Sequence, residues 1–461
     1  MSKALKEFTG GEMIVSKRFF YPLFTVVALC LLYAILYNSN SITYAQSAQC
    51  PQKSMGDANC DGRITVADYE VWRREFSREI TTTDADFNTS GSVTLSDFEI
   101  WRRSFTGAIQ NPSATSIPTT IITTSPTTIP SQIPTTLPPP IGSGIFISRE
   151  EISRLPTSGS GWSHVLSAAN SPISNPSLSQ RGSDNTSTYA KALVYARTGS
   201  ASYRQQVRDA LGKIIGTEKG NDILAILRNT AAYVIAADVI DLKSFDPAFD
   251  QTFRNWLRTM RNYNNGDLCG SIVNCHEERP NNFGTHAAAS RISIARYLGD
   301  NQDLARAALV QKGWMGDRSS YSGFSYHGLD WQCNPNAPVG INPKGCTKNG
   351  QTIDGVLPDD QRRGGGFAWP PFCENYVWGT LQGGIVAAEL LHRSGYPAWE
   401  WQDKAMLRAF QWLYNTAHCS PSGDDYWLSF LVNKVYGTNF SSLSGRPAGT
   451  ALGFADWTHA R

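Results

Sequence analysis

The chain has 461 residues, more than one domain requires, and 41 Lys+Arg against 39 Asp+Glu give a formal net charge of +2. That balance, without a long basic run, argues against nucleic acid as a partner. Hydrophobic residues make up 41% and aromatics 11%, with 13 Trp, which supplies a sizeable core and flat faces that suit sugars.

Residues 1–18 are polar and carry Lys3, Lys6, Lys17 and Arg18. Residues 19–37, from Phe19 to Tyr37, are almost entirely apolar and just long enough to cross a bilayer. A charged start before such a run is an export signal. Residues 1–45 are either a signal peptide, cut near Thr43-Tyr44-Ala45 or Ala48, or an anchor with the rest of the chain outside. Both routes make the working part extracellular or cell-surface, with the membrane met only through this segment. Cys30 lies within the run, and eight cysteines follow it. An even number beyond an export signal predicts disulfides. Sequence neighbours pair Cys50–Cys60, Cys269–Cys275 and Cys333–Cys346, which leaves Cys373–Cys419. No CxxC pair points to zinc.

Residues 50–106 form a module whose segment 57–105 is an internal repeat with an offset of 29 residues. The first copy places Asp57, Asn59, Asp61 and Asp68 at positions 1, 3, 5 and 12 of a loop, with Gly62 at position 6. The second places Asp86, Asn88, Ser90 and Asp97 likewise, with Gly91 at position 6. This is a calcium loop of EF-hand type, in which Gly makes the tight turn and hard oxygens take the ion. Tyr69-Glu-Val-Trp72-Arg-Arg and Phe98-Glu-Ile-Trp101-Arg-Arg continue the copies as helices. The duplicated loop-helix resembles a dockerin. That resemblance implies Ca2+ as a structural ion on these eight side chains, backbone carbonyls from Arg63 and Ser92, and a cohesin module on a scaffold or cell surface as partner.

Residues 107–144 are Thr, Pro, Ser and Ile with almost no charge, the composition of an extended linker. At ~3.1 Å per residue it reaches on the order of 100 Å. Residues 145–461 are one domain with helices predicted over 186–198, 203–216, 222–241, 248–261, 282–298, 301–314, 376–394 and 399–417. Several are apolar nearly all round, so helices surround helices. The predicted fold is all-α: an (α/α) toroid with an inner ring forming a cleft, plus the small calcium-binding module of two loop-helix repeats. Between 315 and 375 regularity is lost, in a stretch too long for a connector.

One stretch stands out at the entry to the helix 282–298. In Arg279-Pro280-Asn281-Asn282-Phe283-Gly284-Thr285-His286, Pro280 blocks a preceding helix and Asn281 or Asn282 caps the next. Asn282 and His286 are four apart and point off one face, where an amide and an imidazole can hold an anion and move a proton.

Three segments of the domain resemble the alginate lyase family of polysaccharide lyases: Asn281 to His286, Asp354-Gly-Val-Leu-Pro-Asp-Asp-Gln-Arg362-Arg363, and Tyr376 through His392-Arg-Ser-Gly395-Tyr396. Ala192-Leu-Val-Tyr-Ala-Arg-Thr-Gly199 also looks like that family's early repeat. The resemblance implies β-elimination on a uronic acid without a catalytic cofactor. The family holds the sugar carboxylate with an Asn and an Arg, and moves protons with a His and a Tyr. Asn282 and Arg363 match the first pair. The family's His directly follows its second Asn, where this chain has Phe283, and its Tyr region here reads Trp369-Pro370-Pro371. The roles expected are therefore carboxylate binding by Asn282 and Arg363, His286 as base, and Tyr376 or Tyr326 as acid. Asn281, Arg362, Trp369, Glu374 and His327 are expected to bind substrate. Two other readings remain open. Asp354, Asp359, Asp360, Glu374, Glu277 and Glu278 supply carboxylates for a glycoside hydrolase. A glycan-binding surface protein without turnover needs neither set.

Overall fold

A computed structural model describes residues 53–76, 80–94, 97, 98, 100, 101, 104, 138–220, 222–445 and 448–460. The export segment, Cys50 and most of the Thr/Pro-rich linker lie outside the described residues. None of the described helices is long and apolar enough to cross a membrane. The chain divides into two units, Met1–Ser125 and Pro126–Arg461.

In the first unit the repeat is visible in three dimensions. Helix α1 (Val66–Phe76) follows the first loop, and residues 97, 98, 100 and 101 are helical after the second. Ala58, Trp72, Ala85, Phe87 and Trp101 form its small core. The two copies exchange tryptophans. The Trp72 indole N–H donates to the Thr94 carbonyl and that of Trp101 to the Thr65 carbonyl, each at 2.9 Å. Glu75 is buried and holds the connection by accepting from the Asp84 and Ala85 N–H groups, both at 2.8 Å. Cys60 is disulfide-bonded.

The second unit is almost wholly helical, and among the described residues its only sheet is the ribbon Thr347–Lys348 with Gln351–Thr352. Its helices are α2 (Gly159–Asn170), α3 (Asp184–Thr198), α4 (Ala201–Ile214), α5 (Ile223–Val239), α6 (Pro247–Met260), α7 (Ile272–Glu278), α8 (Asn282–Leu298), α9 (Asn301–Trp314), α10 (Pro358–Gln361), α11 (Asn375–Arg393), α12 (Trp401–Gln411) and α13 (Trp427–Tyr436). All eight predicted helices are present, the last running on as a π turn over Trp412–Thr416. Helices α2, α7, α10 and α13 were not among the predicted elements. α2 begins in Gly and Ser, poor helix formers, and is held by burying Trp162, Val165 and Ala169. α7 is too short for a periodic signal and starts on the Ser271 cap.

The apolar helices are indeed the inner ones. α3 packs on α5, α5 on α8 and α8 on α11, while α4 lies on α3 and α9 on α8. Nearly every residue of α5 and α8 is buried. The outer α4 buries only Val207, Ala210, Leu211 and Ile214, one stripe at helical spacing. The inner helices run parallel, as their ends show. Asp184 and Asn185, from the first turn of α3, and Asn229, from the second turn of α5, line one cavity. At the other end Asp238 of α5 is close enough to Arg296 of α8 and Arg393 of α11 for their charges to oppose its burial. Arginines there also complement the helix dipoles.

Residues 138–143, assigned by sequence to the linker, lie against α11. The Ile141 N–H donates to the Arg393 carbonyl at 2.9 Å, and the Arg393 guanidinium donates to the Ser143 carbonyl at 2.8 Å. The disulfides Cys269–Cys275, Cys333–Cys346 and Cys373–Cys419 form as paired from sequence. The last ties the segment before α11 to the chain after α12.

The tightest helix contact is α8 on α11. A Cβ on Gly383 would stand 2.4 Å from the Thr285 carbonyl carbon and the His286 nitrogen, both backbone atoms that cannot swing away. Gly383→Ala should therefore cost about 1–3 kcal/mol, read as a fall of several degrees in Tm by calorimetry. The double variant Cys373→Ala/Cys419→Ala should lose about 2–4 kcal/mol by the same measurement.

Candidate functional site

Asn281 is the cap of α8: its side-chain oxygen accepts from the Phe283 N–H at 3.2 Å. Its amide nitrogen donates to Asp359 Oδ2 at 2.9 Å. This leaves Asn282 as the first helical residue, fully buried, with its Nδ2 making no hydrogen bond. Its Oδ1 accepts one long contact, 3.4 Å, from Arg363 Nη2. The Arg363 guanidinium lies 4.1 Å from the centroid of the Tyr376 ring, a cation–π arrangement, and its Nε is 3.3 Å from Asp360 Oδ1. Asn282, Arg363 and Tyr376 thus meet, although they come from α8, the turn after α10, and α11.

The acidic pair before Arg362 and Arg363 explains their positions. Asp359 and Asp360 are both buried. Asp359 accepts from Arg362 Nε at 3.1 Å, the His327 backbone N–H at 3.2 Å and Asn281. Asp360 accepts from the Thr380 hydroxyl of α11 and faces Arg363. Burial pushes the Asp360 carboxyl up to about 7, against the pull of Arg363 and Thr380.

His286 is fully buried and neither ring nitrogen has a hydrogen bond. Burial and the charge of Arg228 hold its pKa well below the usual imidazole range, so it is neutral. Tyr376 is 46% exposed. Tyr326 is set apart from it, edge-on to Phe324 with Asp359 and Arg318 in electrostatic reach, and burial pushes its phenol up. His327 Nε2 accepts from Arg279 Nη1 at 3.2 Å. Arg279, Asn281, Phe283, His327, Arg362 and Arg363 line a cavity of about 160 Å³. Trp369 and Phe372 stand exposed on the segment before α11. Glu374 has a local structural role: it caps α11 by accepting from the Tyr376 N–H at 3.1 Å.

The other carboxylates are also engaged. Asp354 pairs with Arg408, Glu277 with Arg291 and Arg306, and Glu278 with Arg279. Three residues near His286 and α11 were not singled out from sequence: Arg228, Gln382 and Asp425. Gln382 Nε2 donates to Asp425 Oδ1 at 2.7 Å and its Oε1 accepts from the Thr450 N–H at 2.8 Å. Burial raises the Asp425 carboxyl to about 7. Arg228 had a legible signal, the lone cation in the mostly apolar α5.

In the first unit the two loops have one geometry. Gly62 and Gly91 take φ of 79° and 87°, and Cys60 and Thr89 take 58° and 55°. Asp57 accepts from the Asp61 and Gly62 N–H groups, as Asp86 does from Ser90 and Gly91. Asp68 accepts from the Ala58, Asn59 and Thr65 N–H groups, as Asp97 does from Phe87, Asn88 and Thr94. Asn59 and Asn88 turn their oxygens inward to the N–H two residues on. Arg63 donates its N–H to Asp61, and the Ser92 carbonyl accepts from Ser90. No group of three His, Cys, Asp or Glu with metal-site geometry occurs among the described residues. The loops instead mix carboxylate, amide, hydroxyl and carbonyl oxygens, a donor set that fits calcium rather than a transition metal.

No protein-family model matches the chain, and no curated protein or solved structure matches it either.

The raised Asp360 carboxyl has a consequence for stability. Its folded value, about 7, lies above its ordinary 3.8, so the folded state binds the proton more tightly. The stability this contributes is present in full below pH 3.8 and is lost as pH rises toward 7. Asp360→Asn cannot ionise. The stability of the variant relative to the native protein should therefore rise between pH 4 and 7 in denaturant titrations, and a flat difference would contradict a buried, protonated Asp360.

Proposed function

We propose that the helical domain is an exported polysaccharide lyase that cleaves a uronic-acid polymer, alginate-like in its acidity, by β-elimination. The inner helices form the cleft of an (α/α) toroid. The observation that carries this reading is Asn282, a buried amide with a free N–H at a helix N-terminus, covered by an arginine on a long contact. A substrate carboxylate that draws Arg363 off Asn282 gains the guanidinium, the amide N–H and the α8 dipole together. Neutralising that carboxylate acidifies the adjacent C5–H.

The proton on C5 goes to a base, the C4–O bond to the next sugar breaks, a C4=C5 double bond forms, and the leaving oxygen takes a proton. His286, neutral and on the same face of α8 as Asn282, is the base. Tyr376, exposed beneath Arg363, is the acid, and its place beside the clamp favours it over Tyr326. Arg362, Asn281 and His327 shape the neighbouring cavity, and the exposed Trp369 offers a sugar platform. The engagement of Asp354, Asp359, Asp360, Glu277, Glu278 and Glu374 in ion pairs or caps supports elimination over a two-carboxylate hydrolysis.

The first unit is read as a dockerin that binds Ca2+ through Asp57, Asn59, Asp61, Asp68 and Asp86, Asn88, Ser90, Asp97, and docks on a cohesin. Bound calcium supplies charge balance for the loop carboxylates and sets the two helices for docking.

Polyuronates should yield a product with near-ultraviolet absorbance from the unsaturated uronate. New reducing ends without that absorbance would assign a hydrolase instead, and binding without either would leave a glycan-binding protein. Tyr376→Phe and His286→Ala should each lower kcat at least about 100-fold while the protein stays folded. Retained turnover in either variant removes that residue from the chemistry. Calcium should raise the melting temperature of the first unit and EDTA should lower it, with Asp68→Ala abolishing the difference.

A further inference from the structure

Arg228 occupies the second turn of α5, a helix that is otherwise apolar on this face. Its Nε is buried without a hydrogen bond. Burial and the adjacent Arg181 guanidinium hold its pKa below the ordinary arginine value. Asp222 and Asp424 are near enough to oppose that shift, yet both are committed elsewhere. Asp222 takes Arg181 Nε at 2.6 Å and caps α5 through the Ala225 N–H at 3.1 Å. Asp424 faces Gln382 at 3.4 Å. A desolvated guanidinium with no ion pair is costly unless an anion arrives to meet it.

The surroundings make a place for one. Arg181, Arg228, Asn229 and Thr450 line a cavity of about 160 Å³, ample for a carboxylate. The Asn229 amide donates to the Leu178 and Gln180 carbonyls, both at 2.8 Å, and so fixes the loop that carries Arg181. Thr450 is fixed by Gln382. The cavity is also tied to the site already described. Arg228 acts on the charge of His286, one turn from Asn282, and senses Tyr376, which lies under Arg363. Arg228 is therefore in electrostatic reach of both His286 and Tyr376, and Arg363 covers Tyr376.

We propose that Arg228, with Arg181 beside it, is a second anion subsite that takes the carboxylate of another sugar on the chain held by Asn282 and Arg363. The inference rests on the lyase reading and narrows its substrate to polymers with carboxylates on several nearby sugars. The planar fork of arginine suits a carboxylate, and two separated clamps would hold an acidic chain in register across the reacting bond.

Equilibrium binding of the whole chain to alginate, to polygalacturonate and to carboxyl-reduced forms of each tests this. Arg228→Gln should weaken binding to the acidic polymer about tenfold, and Arg228→Lys by less, with both variants melting like the native protein. Arg181→Ala, a change at an exposed position, should give a smaller loss in the same direction and serves if Arg228→Gln does not fold. If the native protein binds a polyuronate and the folded variants bind it equally well, the second subsite is overturned and the lyase reading stands. If the native protein binds no polyuronate, both fall.

Discussion

The contact on which the second unit depends is the parallel packing of α8 against α11 through Gly383. At that point one helix backbone touches the other, with no side chain between them. The close approach draws the two N-terminal turns together, so that Asn282 and Tyr376 end at one face with Arg363 between them. A larger residue at 383 would push the helices apart by the width of a methyl group. A site whose contacts are measured in tenths of an ångström would not survive that.

Around this contact the parallel inner helices sort charge. Their C-terminal ends carry Arg296 and Arg393, which meet Asp238 and, through Arg393, Glu151 at 2.8 Å. Beside their N-terminal halves lie buried amides, arginines and, on neighbouring short segments, two carboxyls raised to about 7, Asp360 and Asp425. Helix dipoles favour anions at that second end. The carboxyls there are held partly protonated by burial, which leaves the positive groups less neutralised than their formal pairing implies. The potential at that end is therefore more positive than a count of charges suggests.

The irregular stretch from 315 to 375 positions Arg362 and Arg363. Buried Asp359 and Asp360 pin the two arginines from below, and the Cys373–Cys419 disulfide pins the segment that leads into α11. Long side chains lose entropy when they bind. Fixing Arg362 and Arg363 beforehand reduces that loss and places the guanidinium where the amide of Asn282 can share its load.

How much of this was legible in the chain differs by level. Helical periodicity located the eight main helices, the nearly all-round apolar character of Ile223–Val239 marked it as inner, and cysteine neighbours predicted the three disulfides that form. The 29-residue repeat was likewise readable, because ligand spacing and glycine positions are local. The sequence also pointed to Asn282, through its spacing from His286 on one helix face, while Arg363 was reached only through the family resemblance. Only tertiary structure decided which residues meet: that Tyr376 and not Tyr326 lies under Arg363, that Glu374 is a cap, and that Arg228 stands unpaired beside His286. Those outcomes depend on how parallel helices align in register, which is set by packing at positions such as Gly383 and leaves no periodic trace in the residues that share the site.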